Sequence, residues 1–215
     1  MKKFLLSLMA AVILTACSNN NDNNTVIISN FATLDVISPN GAIFTVQNPG
    51  ETQVTTLTAS QAINADNFKA GTRVFVQYTL PDDATTSAKN CTLMAMYNTD
   101  GAGDMIQNAT AESTKDWETI ETQLSEVTIT GSFINIIGQA NCDYTKYSCK
   151  LYVDETTLND EYPQLYLIFL NEGVNEQYLT FLGSWNFEHI RQLPTSKGMI
   201  LNANNPGMQK ITINF

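Results

Sequence analysis

The side chains able to do chemistry are few and scattered along the chain. A single histidine, His189, stands in Asn186-Phe187-Glu188-His189-Ile190-Arg191. A histidine acting as general base needs a second group to orient its ring. Glu188 is its immediate neighbour, and on an extended strand such neighbours point to opposite faces. His189 therefore reads as a surface residue at the end of a strand. The acid pairs Asp82-Asp83, Asp154-Glu155 and Asp160-Glu161 all fall in expected turns. A glycosidase sets two carboxylates about 5–10 Å apart across a cleft, which adjacency in sequence does not supply. These acids read as solvated turn charges. Asn98-Thr99-Asp100-Gly101-Ala102-Gly103-Asp104 has the flavour of a calcium loop. Ala102 stands where a ligand belongs, however, and no glutamate follows at the spacing for a bidentate contact. A glycine-rich turn is the better reading. No G-x-S-x-G elbow occurs. The expectation is a protein that is not an enzyme, with no catalytic residue, no metal and no cofactor.

Cysteines offer more. Cys91 lies in an apolar strand pattern and reads as a buried free thiol. Cys142 and Cys149 flank the polar segment Asp143-Tyr144-Thr145-Lys146-Tyr147-Ser148. Their spacing is wide for zinc, and one histidine is a poor complement. In an oxidising compartment the two can form a disulfide, a local clip contributing about 2.5 kcal/mol on the chain-entropy model. Tyr144 and Tyr147 on such a loop would give a partner rigid contact area at low entropic cost. A protein, peptide or glycan of the envelope would be that partner. The plain alternative is a hairpin tip with solvent-facing tyrosines.

Cys17 has the most definite chemistry. The chain opens with Lys2 and Lys3, continues apolar from Phe4 to Leu14 with Ser7 as the break, and reaches Leu14-Thr15-Ala16-Cys17. A basic start before a short apolar core is an export signal, and the run is too short for the roughly 20 residues that span a bilayer. Leu14-Thr15-Ala16-Cys17 resembles the lipobox of bacterial lipoproteins. The resemblance implies cleavage after residue 16, lipid on Cys17 and a membrane anchor, each buried methylene contributing about 0.8 kcal/mol. Ser18-Asn19-Asn20-Asn21-Asp22-Asn23-Asn24 has nothing to bury and reads as a flexible tether over residues 17–24. The expected location is the cell envelope, with the outer membrane favoured and both periplasmic and surface-facing orientations open.

Loss of Lys2 and Lys3 takes the formal charge from −10 to −12. Nucleic-acid binders accumulate Lys and Arg to displace counterions, so nucleic acid is excluded as a partner. The remaining length suits two small domains.

Apolar residues recur mainly at strand period. Ala42–Val46, Gly71–Leu80 with Val74, Val76, Tyr78 and Leu80 on one face, Thr92–Tyr97, Glu126–Thr130 and Phe133–Ala140 read as strands. Leu165–Leu170 is apolar on both faces, as in a strand covered on both sides. Tyr178–Trp185 and a closing Ile211–Phe215 follow. Trp117, Ile120 and Leu124 have helical spacing, predicting a short helix over 114–124. Trp117 and Trp185 both lie in apolar patterns and read as core. Many short strands between Gly, Pro and Asn turns predict an all-β protein of barrel or sandwich layers.

Gly71-Thr72-Arg73-Val74-Phe75-Val76-Gln77-Tyr78, Phe133-Ile134-Asn135-Ile136-Ile137-Gly138, Leu165–Leu170 and Ser184-Trp185-Asn186-Phe187 follow the lipobox in that order. In this succession the chain resembles the NigD-like lipoproteins of the Bacteroidetes. The resemblance implies an N-terminal OB-like β-barrel, assigned to 25–125, and a C-terminal β-sandwich, assigned to 126–215. It implies no catalytic residues. Surface lipoproteins of that phylum carry an acidic stretch after the cysteine, whereas this tether has only Asp22. The expected role is a non-enzymatic binding or scaffold lipoprotein. Bacteriocin immunity follows from the family's naming context as an alternative. An envelope glycan or peptide hydrolase is the alternative from another class, and it requires a cleft gathering two carboxylates, one shifted toward neutrality.

Overall fold

The computed structural model describes residues 26–64, 66–81, 88–110, 121–143, 147–171, 178–203 and 210–215. Cys17, the tether, Asp82, Asp83, Trp117 and Tyr144 lie outside the described residues.

Five strands form a closed barrel: β1 (Ile28–Ser38), β2 (Gly41–Gln47), β3 (Val54–Ala59), β4 (Arg73–Thr79) and β5 (Ala88–Asn98), in the order β1-β2-β3-β5-β4. All pairings are antiparallel except β3 with β5. This is the OB-type topology. Period-2 alternation fills the interior: Ala42, Phe44 and Val46 of β2 meet Leu34, Leu57, Val74, Val76 and Tyr78, all buried. The end of β3 lies so close to the start of β2 that a Cβ on Gly41 would lie 2.4 Å from the Ala59 carbonyl oxygen.

The β3–β5 ladder ends with Ala59 opposite Cys91. The Gln61 side chain then adds one more rung: its Nε2 donates to the Leu93 carbonyl, and its Oε1 accepts from the Leu93 N–H, both at 2.8 Å. Gln61→Ala should leave both half-buried groups unpaired and cost about 1–2 kcal/mol. Faster hydrogen exchange at the Leu93 amide is the expected sign. Unchanged protection there would show that the rung contributes nothing.

Two further sheets make the sandwich. One has five strands in the order β13-β12-β10-β9-β6, namely β6 (Gln107–Ala109), β9 (Tyr147–Asp154), β10 (Gln164–Asn171), β12 (Gly198–Ala203) and β13 (Lys210–Asn214). The other is β11-β8-β7, from β7 (Thr122–Thr130), β8 (Phe133–Asn141) and β11 (Tyr178–Asn186). Their inner faces share one core, with Ile134, Ile136, Leu151, Leu165, Leu167, Phe169 and Trp185 buried in it. Gly131, at φ +58, takes the first position of the two-residue β7–β8 hairpin, where a positive φ suits the strand twist. Among the described residues no helix is long and apolar enough to cross a membrane.

Several expectations change. The barrel ends at Asn98 and β6 pairs with β9, so the chain enters the sandwich before residue 107, not at 126. Of the helix expected over 114–124, residues 114–120 lie outside the described residues. Thr122–Leu124 is strand, because the β8 ladder extends through Ala140, Gln139 and Gly138 to pair with it. On β10, Leu165, Leu167 and Phe169 face the core, while Ile168 shares a small outer cluster with Ala109 and Tyr152, and Tyr166 is exposed. Only one face of that strand is covered throughout.

Candidate functional site

The barrel and the sandwich meet along the outward face of β4. Phe31, Phe75 and Leu182 form a buried cluster there with Tyr97 and Ile137 packed against it, and the Phe31 and Phe75 rings meet edge-on at 5.1 Å. Beside it lies Arg73, only 5% exposed. Its guanidinium donates at 3.2 Å to Thr33 Oγ1 of the barrel and to Ser184 Oγ, Thr130 Oγ1 and Asn135 Oδ1 of the sandwich. It also sits 4.5 Å above the Phe133 ring. None of these partners is a carboxylate, and burial pulls the Arg73 pKa down to about 10, still charged at neutral pH.

The segment after β5 runs alongside β11 and closes the seam. Asp100 N–H donates to the Leu182 carbonyl, Ser184 N–H to the Asp100 carbonyl, and Gly103 N–H to the Ser184 carbonyl. Asn186 N–H reaches the Asp104 carbonyl, and Ile106 N–H the Asn186 carbonyl. The free edge of β11 is thus covered, which removes an exposed template for pairing with other chains. The glycines of this segment have a steric origin. Gly101, at φ +75, lies so close to Trp185 that a Cβ would come within 2.1 Å of the indole Nε1; Gly103, at φ +90, presses on Arg73. The segment is a turn docked on the sandwich, and no cluster of metal-ligating residues occurs among the described residues.

At one end of the seam is a cavity of about 390 Å³. Tyr97, Asn98 and Thr99 line it from the end of β5, Thr180, Phe181 and Leu182 from β11, and Tyr147 from β9, with Asp100 beside them. Tyr147 Oη donates to Asp100 Oδ2 at 3.4 Å. Burial pushes the Asp100 carboxyl up to about 7, and the tyrosine bond only partly opposes this. Tyr147 is driven well above the usual phenol range, by burial first and then by the neighbouring carboxylate. It packs on Phe169 with ring centroids 6.1 Å apart. Tyr147 is therefore a half-buried wall of the cavity and no solvent-facing loop residue.

Cys142 and Cys149 are both buried in the sandwich core as free thiols, so the expected clip is not formed in the structure. The β9 register turns Cys149 inward opposite Phe169, and Cys142, just past the end of β8, packs into the same apolar core. Burial, then Asp100, then Asp143 pushes the Cys142 thiol up to about 11, and burial holds Cys149 well above its usual value. The thiolate is the nucleophile, so neither sulfur attacks at neutral pH. Cys91 is buried and free, as its strand pattern predicts.

The other candidates disperse. His189 is on a single-turn helix, α1 (Glu188–Arg191), and not on a strand end. Both its ring nitrogens are enclosed without a hydrogen-bond partner, and burial lowers its pKa. Glu188 is engaged elsewhere, accepting from Ser132 Oγ at 2.6 Å and pairing with Arg191. Asp154 caps a short 3₁₀ turn through the Thr156 N–H, and Glu161 pairs with Lys197. The cavity gathers one carboxylate among the described residues, where a glycosidase needs two.

An OB-type barrel docked on a two-sheet sandwich, with a cavity at their seam, is the class of protein this structure defines. Its fold is that of the NigD-like proteins. A NigD-like immunity protein from Bacteroides caccae superposes with TM-score 0.60 at 10% identity, covering 86% of this chain and 90% of that one. A protein of unknown function from Bacteroides vulgatus gives TM-score 0.69 at 16% identity, covering 88% and 91%. One described as a lipoprotein, from Bacteroides fragilis, gives 0.59 at 11% identity, covering 87% and 96%. By sequence, no family model and no curated protein matches.

Proposed function

We propose that this chain is a lipid-anchored lipoprotein of the cell envelope, at the outer membrane, acting as a non-enzymatic binding module. Its partner, a protein, peptide or glycan of the envelope, is taken at the seam of barrel and sandwich. The observation that carries this reading is the cavity there, walled by Tyr97, Tyr147 and Phe181 on a seam cross-linked by Arg73. Rigid aromatic walls with a few polar groups are the usual composition of a recognition site. The anchor rests on Leu14-Thr15-Ala16-Cys17.

Two experiments test it. Cys17→Ser should move the protein from the membrane fraction to the soluble one; a variant that still sediments with membranes ends the anchor. A photo-crosslinking amino acid at Tyr97 should give a defined adduct in living cells, and one at the outward-facing Lys150 should not. Equal adducts at both positions would remove the seam as the binding site.

A second reading, protection against a bacteriocin, is favoured by one observation: a structure of the same fold is described as an immunity protein. It requires that deletion of the gene sensitise cells to a toxin made by neighbouring bacteria. Unaltered sensitivity would dismiss it.

A further inference from the structure

Among the described residues no cation stands beside Asp100 in this cavity. Its carboxyl takes one long hydrogen bond from Tyr147, and the ion pairs among the described residues, Arg191–Glu188 and Lys197–Glu161, are elsewhere. Arg73, close by in the chain fold, spends its donors on Thr33, Thr130, Asn135 and Ser184. Burying a carboxylate without a positive partner is costly. Here that cost is kept at the wall of a space large enough for a side chain.

The walls add a second indication. Tyr97 and Tyr147 bring phenol rings to the walls of the same cavity as the carboxyl, and the negative faces of such rings attract cations. Asn98 and Thr180 offer oxygen atoms for further N–H donors. The chain as a whole carries −10, a field that gathers cations and repels anions. A carboxylate, aromatic walls and a negative surround converge on one ligand chemistry.

We propose that the cavity binds a primary ammonium group on an apolar stem, as in a lysine side chain of a peptide, with the ammonium on Asp100 and the stem against Tyr97 and Tyr147. This rests on the reading of the seam as a binding site and specifies what it takes. A volume of about 390 Å³ lies in the range of small-ligand sites and holds one such side chain with room for flanking atoms. The ammonium needs Asp100 ionised, so binding releases a proton wherever the empty site holds one. Among the described residues the groups facing Asp100 are Tyr147 and Cys149 from β9 and Cys142 beyond β8, with Tyr97 from β5 on the same cavity wall. Tyr147, Cys149 and Cys142 are all pushed upward, leaving Asp100 to titrate near neutrality.

The test is calorimetric titration of the full chain in a neutral detergent. The probes are acetyl-Gly-Lys-Gly-amide, its norleucine counterpart, and butylammonium. The lysine peptide should bind at least tenfold more tightly than the norleucine peptide at pH 8, and lose about tenfold between pH 8 and pH 5.5. Asp100→Asn should reduce it to the norleucine level while the melting temperature at pH 8 holds or rises. Thr180→Trp, which fills the cavity and keeps the carboxylate, should also abolish binding. Butylammonium binding as tightly as the peptide identifies a free amine as the source; weaker binding identifies a peptide. Equal affinity for lysine and norleucine peptides, or binding indifferent to Asp100→Asn, overturns the ammonium site. If Thr180→Trp still abolishes the Tyr97 adduct, the seam remains a binding site for another chemistry. If it leaves that adduct intact, both readings fall.

Discussion

Arg73→Ala is expected to destabilise the protein by about 3–5 kcal/mol, the summed cost of leaving buried acceptors short of a donor and of the cavity left where the guanidinium packed. The guanidinium supplies donors to Thr33, Thr130, Asn135 and Ser184, and truncation also opens a void beneath Phe133. The acceptors are not equally stranded. Asn135 Oδ1 keeps the Ser184 hydroxyl at 2.8 Å, and Asn135 Nδ2 keeps Thr130 Oγ1 at 2.9 Å. Arg73→Met fills the void and removes the burial cost of the charge, so it should lose only about 1–3 kcal/mol. Arg73→Lys should fall nearer alanine, because an ammonium cannot reach acceptors spread over a planar fork. The network joins Thr33 of the barrel to the sandwich, so the alanine variant should also unfold in two steps. Urea titration followed by tryptophan fluorescence and by far-UV circular dichroism measures both effects. One coincident transition at the wild-type midpoint would show that Arg73 does not hold the seam.

The sequence made the strands readable where one face is wet. Ala42, Phe44 and Val46 against Ile43 and Thr45 is a period-2 signal, and β2 lies where that signal puts it. Legibility declines where both faces are covered by different things. β4 shows the inward Val74, Val76 and Tyr78 plainly, but Arg73 and Phe75 on the other face are buried because the sandwich docks on them. Phe75 was the available signal: a large apolar residue on a nominally outward face predicts a neighbour. The passage from barrel to sandwich is hidden in the sequence because the segment after Asn98 carries no strand pattern of its own. It joins the second body through main-chain bonds to β11, which leave no mark on side-chain periodicity. The same holds for the candidate site. Tyr147 stands between two cysteines in the sequence, yet its partner Asp100 lies 47 residues away, brought near by sheet pairing that neither local sequence encodes. Gly101 and Gly103 read as turn formers, and their second reason, contact with Trp185 and Arg73, needed the tertiary structure.

Asp100 should make the protein less stable as pH rises, opposite to the usual behaviour of a carboxyl. Its unfolded value is near 3.8 and burial raises the folded value to about 7. Below pH 4 the group is protonated in both states and costs nothing. Between 4 and 7 the unfolded chain releases its proton and the folded one retains it, so stability falls steadily. Above about pH 7 the loss levels off. The full penalty is on the order of 3 kcal/mol, allowing for the solvent that reaches the cavity. Glu188 works in the other sense: its folded value is lowered chiefly by the Ser132 hydrogen bond, so its small contribution is present above its unfolded value and fades in acid. Comparing the wild type with Asp100→Asn cancels that background. Asparagine keeps an acceptor for the Tyr147 hydroxyl and cannot ionise, so the two proteins should be nearly equal in stability at pH 4. The variant should lead by on the order of 3 kcal/mol at pH 8. Denaturation at half-unit intervals would trace the divergence, and a constant difference across the range would mean that Asp100 ionises in the folded protein as freely as in water. A ligand supplying a cation should recover the same energy at pH 8, which joins this stability profile to the ammonium site: the penalty carried by the empty cavity is what an ammonium would relieve.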